Sequence, residues 1–187
     1  MTENALDNNP LVLKAIEFAN AAHSSIGQLR KYTGEPYIVH PLDVIDILLT
    51  YSEQPVTVGM LAAAACHDVV EDTQVSLDTV SLEFGTEVAQ LVSDLTDVSR
   101  PTDGNRRVRK QIDLEHSAQA CAASQTVKLA DLISNAPSIV DHDPGFARVW
   151  LREKAALLDV LVKGDAGLMR RARAVLAECK LKLENQG

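Results

Sequence analysis

The segment "PVTVGMLAAAACHDVVED", Pro55 to Asp72, decides the fold. A run of small and branched apolar residues is followed by four ionisable groups, His67, Asp68, Glu71 and Asp72. It reads as one central helix, apolar on every side until its last turns. On such a helix residues three and four apart share a face, so His67 stacks over Glu71 and Asp68 over Asp72. Burying that stripe is costly unless its charges are paired or bound to a metal ion.

Outward from this segment the helical period continues. "PLVLKAIEFANAAH" places a proline in the first turn and lines one face with Leu11, Ala15, Phe18, Ala19 and Ala22. "SIGQLRKYTGEPYIVH" is a loop punctuated by Gly27, Gly34 and Pro36; Pro41 then starts a helix that runs to about Leu49. "SLDTVSLEFG" is a short capped helix ending at Gly85, and "TEVAQLVSDLTDVS" another. "RPTDGN", Arg100 to Asn105, is loop, and helical patterns resume in "RRVRKQIDLEHSAQAC", "QTVKLADLISNAPSIVDH", "PGFARVWLREKAALLDVLVKG" and "DAGLMRRARAVLAECKLKLENQ". The alternation of strands never persists, so the fold class is all-α.

The 187 residues suit one domain, and 46% hydrophobic with 4% aromatic residues favours helices packed on helices. A net charge of −8 excludes a broad nucleic-acid surface and leaves room for a small anion on a local basic patch. Cys66, Cys121 and Cys179 are odd in number and lack metal spacing, which predicts reduced thiols. "MTENALDNNP" is no signal peptide, and no run reaches about 20 apolar residues. A cytoplasmic protein without a membrane partner is expected.

The His67–Asp68 pair needs further ligands to hold an ion. His40, in "YIVHP", and Asp131, in "VKLADLISN", are the candidates, with Pro41 expected to hold His40 in extended geometry. Two imidazoles and two carboxylates suit manganese, iron, zinc or magnesium with positions left for water. His23, His116 and His142 lack comparable neighbours and are assigned to structure, capping or solvent. The cations of "RRVRK", Arg106 to Lys110, fit a substrate's anionic tail or a solvated helix face equally well.

In order, "GQLRKYTGEPYIVHPLDV", "HDVVEDT", "FGTEVAQLV" and "VKLADLISN" resemble the signatures of the Rel/Spo-homologue hydrolases. The resemblance covers about residues 21–163. It implies a single HD-domain helical bundle across 1–187 that removes the 3′-pyrophosphate of ppGpp and pppGpp, in the manner of the stand-alone small alarmone hydrolases. By resemblance His40, His67, Asp68 and Asp131 are metal ligands, usually for manganese, and Glu71 and Asp72 are the acidic pair that activates water. Arg30, Lys31 and Asn135 are expected on the nucleotide. Tyr32-Thr33 stands where many long relatives have one serine, and Leu132-Ile-Ser-Asn135 replaces the more common Arg-Leu-His-Asn. These departures bear on base or phosphate-number preference. Hydrolysis of an adenosine 3′-pyrophosphate or of the NADPH 2′-phosphate, and non-catalytic alarmone sensing, are the competing functions.

Overall fold

The structure, a computed structural model, describes residues 9–185; the polar leader Met1–Asn8 and the end of the last expected helix, Gln186, lie outside them. The elements in order are α1 Pro10–Ser25, α2 Val39–Tyr51, α3 Val58–Cys66, α4 Val69–Asp72, α5 Leu77–Phe84, α6 Thr86–Leu95, a 3-10 turn Pro101–Asp103, α7 Arg106–Gln119, α8 Ala122–His142, α9 Pro144–Val160 and α10 Ala166–Asn185. Among the described residues the one extended pairing is an isolated antiparallel bridge, Leu29 to Pro36, inside the first long loop. The fold is all-α, as the periodicity predicts.

Side chains set the helix starts. The Asn9, Thr57, Ser76, Asn105 and Asp143 side chains each accept a backbone N–H from the first turn they precede. Each such cap is worth about 1 kcal/mol. Gly85, at φ 88°, closes α5 and opens α6 in a conformation that a β-carbon disfavours. The core runs as one apolar cluster from Val12 to Leu183. At its centre α3 packs against α1, α2, α6 and α8, and Ala62 to Cys66 are wholly inaccessible.

Three expectations are corrected. The central helix stops at Cys66, and Val69–Asp72 forms a separate turn, so His67 and Asp68 occupy a kink. His67 turns back there and donates from Nδ1 to the Ala64 carbonyl at 2.8 Å. Second, α2 begins at Val39, which puts His40 inside its first turn and not in extended geometry. Pro41 is tolerated there because N–H groups of a first turn need no helical acceptor. Third, α6 ends at Leu95 because Asp113 Oδ1 takes the N–H groups of Val98 and Ser99 at 3.1 and 2.9 Å and draws the chain away from the helix axis.

Candidate metal centre

The start of α2, the α3–α4 kink and the middle of α8 meet at one point. His40 Nε2 and His67 Nε2 are 3.2 Å apart. Asp68 Oδ2 is 3.0 Å from His67 Nε2, and Asp131 Oδ1 is 3.1 Å from His40 Nε2. The cross distances are both 3.7 Å, so two rings and two carboxylates enclose a common centre. One ligand atom each from His40, His67 and Asp131 lies within 4.8 Å of the others, a spacing that admits a metal ion.

Neighbouring groups fix which ring atoms face that centre. Ser134 Oγ has a single hydrogen, which it gives to Asp43 Oδ2 at 2.5 Å. It therefore accepts from His40 Nδ1 at 3.0 Å, and the His40 Nε2 lone pair points inward. The Ala64 carbonyl does the same for His67. Four acceptors thus surround a point that no donor among them fills, and such a point calls for positive charge. Burial disfavours a charged His67, but Asp68 and Asp131 outweigh it and raise its pKa well above the ordinary value. Only a neutral imidazole ligates, so an incoming ion competes with this affinity for a proton. Burial pushes Asp68 and Asp131 up, yet the facing imidazoles hold both below the carboxylate range. Tyr37 donates its hydroxyl to Asp68 at 2.5 Å and Asn135 its amide to Asp131 at 2.7 Å, orienting both carboxylates.

Glu71 and Asp72 leave the kink in different directions. Glu71 accepts the Asp97 N–H at 3.2 Å, and burial, with Asp97 and Asp68 nearby, pushes its pKa up to about 7. Asp72 accepts from Gln28 Nε2 at 2.7 Å, and Gln28 is held in turn by His23 Nδ1 at 2.7 Å. Both carboxylates line the same hollow of about 220 Å³ as His67, Asp68 and Asp131.

The HD-domain family profile matches residues 15–153. This chain belongs to the HD-domain family. It is 34% identical over 167 residues to the human guanosine-3′,5′-bis(diphosphate) 3′-pyrophosphohydrolase MESH1, covering 88% of this chain and 90% of that one. The Drosophila melanogaster protein of the same name is 31% identical over 174 residues, at 92% and 90% coverage. A solved structure described as "A metazoan ortholog of SpoT hydrolyzes ppGpp and plays a role in starvation responses" superposes with a TM-score of 0.78 at 26% identity. It covers 91% of this chain and 96% of its own.

In this HD domain Arg30, Lys31 and Asn135 line a second hollow of about 280 Å³, which shares Tyr37 and Asn135 with the metal hollow. Arg30 donates to Asn135 Oδ1 at 3.2 Å, while Lys31 lies over the Tyr32 ring at 4.7 Å. The inserted Tyr32 stacks on His142 and donates to Asp143 at 3.3 Å, tying the loop to the end of α8. Of "RRVRK", Arg106 is spent on Glu153 and Lys110 on Asp97 and Asp113. The sequence reading missed Tyr37, Gln28, Ser134, Lys128 and Lys154. The first four stand within or beside the quoted motifs and were legible as neighbours; Lys154 follows Asp131 by most of two helices and carried no signal. His116 and His142 bond to the backbone carbonyls of Ser93 and Ser138, as structural histidines do. His23 is buried and reaches the site through Gln28.

Proposed function

We propose that this chain is a metal-dependent hydrolase that removes the 3′-pyrophosphate of ppGpp and pppGpp, giving GDP or GTP and pyrophosphate. The observation that carries the reading is the acceptor-only centre of His40, His67, Asp68 and Asp131 beside a carboxylate poised near neutrality, in a chain similar to alarmone pyrophosphohydrolases over most of its length. These four residues would hold the ion, for which manganese is our choice. A bound divalent ion supplies polarisation of a phosphoryl oxygen and acidification of water. Glu71 takes the proton of the attacking water, a role suited to a group titrating near 7. Asp72, held by Gln28, orients that water. The water oxygen bonds to the phosphorus that bears the ribose 3′-oxygen, the bond from that phosphorus to the 3′-oxygen breaks, and the 3′-oxygen gains a proton. Arg30, Lys31 and Asn135 bind the nucleotide from the adjoining hollow. The contiguous core supports a single domain across 1–187, with the motif-bearing part about 21–163. Among the described residues no helix is long and apolar enough to cross a membrane; a cytoplasmic setting with a small nucleotide as partner is part of this proposal.

The test is incubation of purified protein and manganese with ppGpp, pppGpp, ppApp and NADPH, with chromatography of the products. Pyrophosphate and GDP or GTP are expected, and none from His67→Ala or Asp68→Ala. Phosphate released from NADPH with guanosine alarmones left intact would refute the assignment.

A further inference from the structure

Lys154 is a cation in the metal hollow that no described residue meets in a hydrogen bond or ion pair. It projects from α9 one turn after Trp150, and its ammonium faces that ring at 5.4 Å. Its neighbours are engaged: Lys128 donates to the Leu95 carbonyl at 2.6 Å and lies 3.6 Å from Asp97, and Lys110 pairs with Asp97 at 2.6 Å. Among the described residues Lys154 Nζ has neither a hydrogen bond nor an ion pair, although it lines the hollow with Asp131 and Lys128. Burial holds its pKa below the usual lysine value, against the pull of Asp131. A half-buried ammonium without an ion pair, set in the wall of the hollow, fits an anion that arrives with the substrate.

The order of the hollows says which anion. The Arg30 hollow meets the metal hollow at Tyr37 and Asn135. The metal hollow meets a third, of about 100 Å³, at Asp97, Lys128 and Lys154, and the first and third share no residue. Resting on the reaction proposed above, a nucleoside beside Arg30 puts the reacting phosphorus at the four acceptors and the next phosphate beyond them. We infer that Lys154, with Lys128 beside it, binds the terminal phosphate of the substrate's 3′-pyrophosphate and holds the departing pyrophosphate. This contact makes the chain prefer a diphosphate to a single phosphate at the 3′ position.

Lys154→Met keeps the aliphatic stem over Trp150 and removes the charge. Inhibition constants for pyrophosphate and for GDP would be measured at fixed free manganese, alongside kcat/KM for ppGpp and for its 3′-monophosphate analogue. Pyrophosphate affinity should fall ten- to a hundredfold, the span of a lost charged hydrogen bond. GDP affinity should stay within twofold, and the preference for the 3′-diphosphate should shrink by the pyrophosphate factor. Lys154→Arg should retain most of both. Pyrophosphate affinity within twofold of wild type, or equal loss for GDP and pyrophosphate, overturns the inference. The two proposals fail separately. If pyrophosphate bound through Lys154 while ppGpp stayed intact, only the reaction would fall; if hydrolysis were unaltered in Lys154→Met, only this subsite would.

Discussion

Ser134→Ala tests whether the metal centre is set by hydrogen bonds one layer out. Ser134 joins Asp43 at 2.5 Å to His40 at 3.0 Å, and the His40 side chain has 0% exposure. Removing the hydroxyl leaves a buried N–H without an acceptor, a loss of about 1–3 kcal/mol if nothing changes. The ring has an escape: the proton moves to Nε2, where Asp131 Oδ1 accepts it from 3.1 Å. That is the atom an ion requires, so the loss moves from folding to metal binding. Manganese affinity should drop about 10- to 100-fold, or ~1.4–2.7 kcal/mol, while the metal-free protein unfolds near the wild-type temperature. Calorimetric titration with manganese and thermal unfolding of the metal-free protein measure the two quantities. Asp43→Ala should act in the same direction, since a freed Ser134 hydrogen can point at His40, and the double variant should be no worse than Ser134→Ala alone. Metal affinity within twofold of wild type in Ser134→Ala would refute the reasoning.

Three further outcomes are expected. Glu71→Gln should lower turnover by about 10²–10⁴ while leaving manganese and alarmone bound; near-normal turnover with a small loss of thermal stability would reduce Glu71 to a helix-end contact. Arg30→Ala should raise the Michaelis constant about tenfold and leave metal affinity alone, so unchanged kinetics would remove Arg30 from the nucleotide hollow. Burial pushes Asp97 up, but Lys128 and Lys110 outweigh it and hold its pKa below the usual value. A depressed carboxyl stabilises the fold above its unfolded pKa of about 3.9 and loses that contribution as pH falls through the folded value. Asp97→Asn should therefore be less stable than wild type near neutrality, with the gap closing in acid; a gap constant down to about pH 3 would contradict the ion-pair account.

Helices and their ends were largely readable because apolar spacing, Pro10, Ser76 and Gly85 act locally. The kink at His67 was not, since Cys66-His67-Asp68-Val69 contains no glycine or proline, and the break is tied to the Ala64 carbonyl and to groups arriving from α2 and α8. The motif marks His40, but its backbone is helical and not extended, because the usual effect of a following proline yields at a helix start. Of the motif departures, Leu132 is buried at 1% in the core, and Ser134 links Asp43 to His40. Lys154 lay beyond sequence reading because only the folding of α9 against the site gives it meaning.

The inaccessible alanines of α3 have a consequence for how this protein changes over generations. A helix walled in by α1, α2, α6 and α8 accepts almost no enlargement, since an added methylene in a packed core costs about 1–3 kcal/mol. The kink at its end inherits that immobility, and with it the position of His67 and Asp68. The loop from Gln28 to Pro36, closed by one bridge between Leu29 and Pro36, carries Arg30, Lys31 and Tyr32 on polar contacts to Asn135, His142 and Asp143 in place of core packing. The metal cluster is therefore set by packed helices, whereas Arg30, Lys31 and Tyr32 are set by a surface loop that touches the cluster's neighbourhood through Gln28 and Asp72. Substitutions between Leu29 and Pro36 should therefore cost the fold less than substitutions in α3, provided Gln28 keeps its hold on Asp72.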